Sequence, residues 1–131
     1  MYEVGRQLKR AIFGQVIHAI LLVPSPEGGD LFVRTLSQMA IKIYYKDTLR
    51  ALQGRTEENP LREITALQFV GDNHPNIMGQ IECCADERNI YSIMRFCPGG
   101  ELFDYIHDQG PMLENEARPM FKQLLNALNR M

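Results

Sequence analysis

The sequence predicts an α+β fold: a five-stranded antiparallel sheet with one packed helix, followed by a short link and two further helices. Three features carry this. Apolar and polar residues alternate from Tyr2 to Leu22, the period of half-buried strands, and three shorter strand-like segments follow before Pro98. One segment after Asn59 changes to helical spacing, and beyond Gly100 that spacing takes over. A chain of 131 residues, 45% of them hydrophobic, is long enough to bury one domain core.

From Tyr2 to Leu22 the alternation runs around Gly5 and Gly14, which predicts two strands joined by a tight turn near Arg10 to Phe13. Pro24, Ser25, Pro26, Glu27, Gly28, Gly29 and Asp30 form a loop, dense in residues that break regular structure. Gln38 to Tyr45 is a buried strand with Met39, Ile41 and Ile43 on one face and Ala40 and Lys42 on the other. Asn59 before Pro60 starts a helix, because Asn caps free N–H groups and proline at the first helical position loses no hydrogen bond. Leu61, Ile64, Leu67 and Val70 give that helix one core-facing stripe, ending near Gly71. Ile77 to Cys84 and Asn89 to Phe96 are two more strands about a turn at Asp86 to Arg88. Glu101 to His107 is a short helix stopped at Gly110. Ala117, Met120, Phe121, Leu124, Leu125 and Leu128 mark a final amphipathic helix, with Pro119 distorting its first turns.

With 14 basic against 16 acidic residues the net charge is −2, so no field of one sign favours nucleic acid or anionic lipid, and neither is expected as a partner. The longest apolar stretch, Ala11 to Val23, contains Gln15 and His18 and is shorter than the ~20 residues that span a bilayer. No signal-peptide pattern opens the chain, and the expectation is a cytoplasmic or otherwise intracellular protein. The three cysteines, Cys83, Cys84 and Cys97, lack zinc-knuckle spacing and are expected as reduced thiols, so no metal site is predicted.

Chemistry is carried by an ordered set of motifs. Lys42 closes the apolar run Met39, Ala40, Ile41, Lys42; Glu63 lies on the next helix between Arg62 and Ile64; His74, Pro75, Asn76, Ile77 form a turn; Pro98, Gly99, Gly100, Glu101, Leu102 follow the last strand. A lysine set among apolar neighbours needs a carboxylate partner, and Glu63 is placed to supply it. Each motif has a plain alternative: a lysine reaching solvent, a solvated glutamate, an ordinary turn.

In order and spacing these segments resemble the N-terminal half of a protein kinase catalytic domain, over nearly the whole chain from Tyr2 to Met131, with a long connection at residues 23 to 36. The resemblance implies a kinase-like N-lobe at 1–96, a hinge at 97–100, and the first two helices of an incomplete helical lobe at 101–131. It further implies that Lys42 and Glu63 form the ion pair that positions phosphates. Leu8, Gly14, Val16 and Ala40 would surround the nucleotide, with Met94 as gatekeeper. The backbone of Arg95 and Cys97 would meet the adenine edge, and Glu101 the ribose or a basic substrate side chain. The Glu101 match favours the serine/threonine branch. ATP and Mg2+ are the implied cofactors and a protein substrate the implied partner of the full-length form, the γ-phosphoryl going to Ser/Thr hydroxyls.

The pattern is also departed from. Lys9 and Ala11 stand where Gly-x-Gly-x-x-Gly-x-Val has its first two glycines, and only Gly14 remains, with Phe13 at the loop tip. Each Cβ crowds a place where phosphate approaches backbone, although the charge of Lys9 offsets part of that loss. His-Arg-Asp with its asparagine and Asp-Phe-Gly do not occur, so no catalytic base and no magnesium ligands are expected here. The expectation is a kinase sequence truncated before its catalytic loop, inactive alone; the alternative is a pseudokinase-like nucleotide-binding or scaffold module. The final helix's apolar stripe then lacks a partner, and poor solubility or partial disorder is expected beyond Gly110, readable by limited proteolysis.

Overall fold

The computed structural model describes residues 1–71 and 73–130. Met131, the last residue of the predicted final helix, lies outside them. β1 (Tyr2–Ala11), β2 (Gly14–Pro24), β3 (Phe32–Tyr45), β4 (Glu82–Ala85) and β5 (Asn89–Arg95) form one antiparallel sheet in the order β1-β2-β3-β5-β4. The helices are α1 (Lys46–Leu52), α2 (Pro60–Val70), α3 (Leu102–Gln109) and α4 (Glu114–Arg130). The five-stranded sheet and the helices after Gly100 are as predicted.

Differences fall at element boundaries. β3 begins at Phe32, not Gln38, because Pro24, Val23 and Leu22 of β2 pair with Phe32, Val33 and Arg34 and shorten the loop. β4 is confined to Glu82–Ala85, the residues that pair in register with β5; Ile81 adds a single bond, its N–H donating to the Ile93 carbonyl at 2.9 Å, while Ile77 N–H turns back to the His74 carbonyl at 3.2 Å. α1 was not predicted. It follows Tyr45 directly, with no side-chain cap to announce it, and Leu49 and Leu52 tuck against Phe13, Tyr44 and Ile64.

Two apolar clusters hold the sheet. On one face Ile17, Ala19, Met39, Ile41 and Ile93 pack with Tyr2, Leu21, Ile43 and Tyr91. The sheet curls enough for its two edges to meet over this face: the Tyr2 hydroxyl of β1 donates to Glu82 of β4 at 2.7 Å. Burial first and that carboxylate second push the Tyr2 phenol up to about 12. The other cluster joins Phe13, Tyr44 and Ile64 between the sheet and α2. The β4–β5 turn is tied by Asp86, which accepts from Tyr91 Oη at 2.7 Å and from the N–H groups of Asn89 and Arg88 at 2.7 and 2.8 Å. These bonds, Tyr91's foremost, hold its carboxyl at about 2.

α2 begins as predicted: Asn59 Oδ1 accepts from Leu61 N and Arg62 N at 3.1 and 3.2 Å, with Pro60 at the first turn. Its stripe is narrower than the spacing suggested, since Ile64 is buried while Leu61 is exposed. Asn59→Ala removes an acceptor for two orphan N–H groups and is expected to cost about 1 kcal/mol, read as a lower urea midpoint. α3 ends at Gly110, whose φ of 83° suits glycine. In α4 the predicted stripe is open to solvent, with Phe121 60% and Leu124 53% exposed.

Candidate nucleotide site

Two elements place the central pair. β3 pairs with both β2 and β5, which fixes Lys42 on an interior strand. α2 presents Glu63 one residue before the buried Ile64 that seats the helix. Lys42 Nζ donates to both Glu63 carboxylate oxygens, at 2.6 and 2.8 Å. The predicted pair is therefore formed. The Lys42 side chain is 24% exposed, so its charge is partly withdrawn from water and needs this carboxylate. The Tyr44 ring lies 5.2 Å from the ammonium, adding a cation–π contact. Burial, then the Glu63 charge, pushes the Tyr44 phenol well above its ordinary value. Its hydroxyl nonetheless has no partner at hydrogen-bonding geometry among the described residues.

Strand register assembles much of the rest. Lys9 faces Val16, Val16 faces Lys42, and Lys42 faces Ser92; His18 faces Ala40, and Ala40 faces Met94. Directly opposed residues share a face of an antiparallel pair, so Val16, Ala40, Lys42 and Met94 stand on one face. Leu8 is half-buried beside them, in the register shift between Gln7 and Lys9. Arg95 faces Met39 and so carries its side chain toward the opposite face. The Cys97 carbonyl accepts from Gly100 N–H at 3.4 Å, and Cys97 Sγ is 3.5 Å from Met78 Sδ. Glu101, just before α3, makes no capping bond; its Oε1 is 3.4 Å from Lys9 Nζ.

Gly14 has a role the motif did not suggest. A Cβ there would lie 1.9 Å from the Ile43 carbonyl oxygen and 2.9 Å from its carbon, so glycine is required by the close approach of β2 to β3. Phe13, expected at an open loop tip, is buried against Tyr44 and Ile64, and its carbonyl accepts from Tyr45 N–H at 2.8 Å.

Two residues on this face escaped sequence reasoning. His18 Nε2 is 2.9 Å from Gln38 Oε1, and its ring meets Phe96 edge-on with centroids 5.0 Å apart, at the end of the sheet beside the link. Ser92 is fully buried opposite Lys42, with an Oγ lacking any partner among the described residues. Continuing the alternation of Ala40 and Lys42 across to the neighbouring strands would have found both.

One cavity of about 740 Å³ lies between residues 73–78, Arg95 to Gly99, and Gln123 and Leu124 of α4, so it includes Arg95 and Cys97 of the expected site; another of about 590 Å³ lies between α1 and α2. Neither includes Val16, Ala40 or Lys42, so the candidate site is defined by the ion pair and the shared strand face. Among the described residues no three His, Cys, Asp or Glu side chains group to hold a metal ion. No described helix is long and apolar enough to cross a membrane.

The chain is similar to CBL-interacting protein kinase 24 of Oryza sativa subsp. japonica, 38% identical over 128 residues, which cover 98% of this chain and 25% of the relative. CBL-interacting serine/threonine-protein kinase 9 of Arabidopsis thaliana is 37% identical over 128 residues, with 98% and 25% covered. The chain thus spans about a quarter of the length of these curated relatives. The protein kinase domain family model matches residues 32–131, beginning after the β1–β2 hairpin that contains Lys9 and Ala11. With Lys42 bound to Glu63 on the strand and helix where the family carries its ion pair, the chain belongs to the protein kinase domain family.

Proposed function

We propose that this chain is the N-terminal part of an ATP-binding serine/threonine protein kinase, in which residues 1–96 form the N-lobe, 97–100 the hinge and 101–131 the start of the helical lobe. The carrying observation is the bidentate Lys42–Glu63 pair beside Val16, Ala40 and Met94. An ammonium held by a carboxylate on a rigid strand is suited to positioning α- and β-phosphates, and the small apolar residues next to it suit an adenine. The backbone of Arg95 and Cys97 would meet its edge, and Glu101 the ribose. The complete kinase would use ATP and Mg2+ to phosphorylate protein Ser/Thr hydroxyls. This chain alone carries out no transfer, because it contains neither a base for the substrate hydroxyl nor the asparagine and aspartate that hold the metal.

Scanning calorimetry with and without ATP tests the binding step. ATP is expected to raise the melting temperature of the wild-type chain, and Lys42→Met to abolish the rise, since a ligand bound only by the folded state stabilises it. An equal rise in both would remove Lys42 from the site. The transfer step is tested on the chain extended through its downstream coding sequence: His-Arg-Asp and Asp-Phe-Gly there, with phosphorylation lost in Lys42→Met, is the expected result.

A second reading, a pseudokinase-like module acting through partners, is favoured by the side chains of Lys9 and Ala11 and by the burial of Phe13. No shift with ATP in any variant would support it.

A further inference from the structure

Lys9 is the most conspicuous departure in the hairpin, and its surroundings give it a definite place. It stands in one cross-strand row with Val16 and Lys42. Two strand spacings separate it from Lys42, about 10 Å, and both side chains leave the same face. Its ammonium reaches across to Glu101 Oε1 at 3.4 Å, joining β1 to the start of α3. The Glu101 side chain is free for this because it makes no capping bond to α3, whose first turn is held by the Glu101 carbonyl accepting from Tyr105 N–H at 3.1 Å. Both side chains are well exposed, 74% and 67%, so the tie is weak and exchangeable.

Resting on the nucleotide reading above, we propose that Lys9 is a second phosphate-positioning cation. Glu101 parks it over the cleft until a nucleotide arrives, and it makes the site select for phosphorylated ligands over nucleosides. When ligand enters, the ammonium exchanges one oxyanion for another, from the Glu101 carboxylate to a phosphate oxygen. A charge-assisted contact thereby replaces the backbone approach that a glycine would permit. Lys42 serves one end of the phosphate chain from β3 and Lys9 covers it from β1, with Val16 between them.

The ratio of ADP to adenosine affinity isolates this effect, because losses at the base or ribose cancel in it. Titration calorimetry on the full 131-residue chain supplies both constants. Lys9→Met is expected to lower the ratio about threefold to fivefold with adenosine binding unchanged, and Glu101→Gln to raise it by releasing the parked cation. High salt should shrink both changes, as it does for exposed charges. Equal weakening of adenosine and ADP by Lys9→Met, or an unchanged ratio in both variants, overturns the proposal while leaving nucleotide binding intact. Binding of neither ligand by the wild-type chain overturns it together with the nucleotide reading. Circular dichroism of each variant verifies that these surface changes leave the fold in place.

Discussion

Gly14→Ala is expected to destabilise the chain by about 3 kcal/mol, the upper part of the range for forcing an extra carbon into a packed site, and to lower its urea midpoint by more than about 1 M. The added Cβ runs into the β3 backbone: the Ile43 oxygen at 1.9 Å, the Ile43 carbon at 2.9 Å and Tyr44 Cα at 3.3 Å. No rotamer can relieve that, so β2 must move away from β3. The disturbance reaches the site, because Gly14 faces Tyr44 and the pair two residues on is Val16 with Lys42. Loss of ATP-induced stabilisation should therefore accompany the lower midpoint. A variant within about 0.5 kcal/mol of wild type, the ordinary scatter of surface substitutions, would show that the strands are not held this closely.

Ile93→Ala should cost about 3 kcal/mol and lower the melting temperature by on the order of 10 °C. Ile93 is 1% exposed and packs with Ile17, Ala19, Met39 and Ile41, a cluster covered by side chains from its own sheet's edges. The cavity can be filled only by drawing Tyr2 and Glu82 inward, which their 2.7 Å hydrogen bond resists. The neighbouring residue provides the control. Ser92→Ala removes a buried hydroxyl that bonds to no described residue, and its effect should be near zero or slightly stabilising. Equal losses from both variants would mean that the strand, not the cluster, had been damaged.

Much of this was legible because residue type and spacing each narrowed the choice. Asn59 and Pro60 announce α2, the alternation from Met39 to Ile43 assigns faces, and Lys42 with Glu63 supplies two charges that need each other. The rest depended on tertiary contact. α1 follows Tyr45 with no loop or capping residue between, and its evidence lies in Leu49 and Leu52 meeting Phe13 and Tyr44, residues distant in sequence. The early start of β3 was hidden by prolines and glycines that suggest a loop, until Pro24 is seen paired with Phe32. Gly14 reads as a phosphate-loop glycine, whereas its nearest constraint is a carbonyl on another strand.

The pleat of β2 and β3 divides labour by parity. Odd positions Ile17, Ala19, Met39 and Ile41 are committed to cohesion, and even positions Val16, Ala40 and Lys42 are turned toward the candidate ligand. Along these strands, endurance and selectivity are written on alternate letters of the same text. Apart from Gly14 and Tyr44, even positions that also hold the sheet together, recognition can be retuned on one set of letters and cohesion hardened on the other.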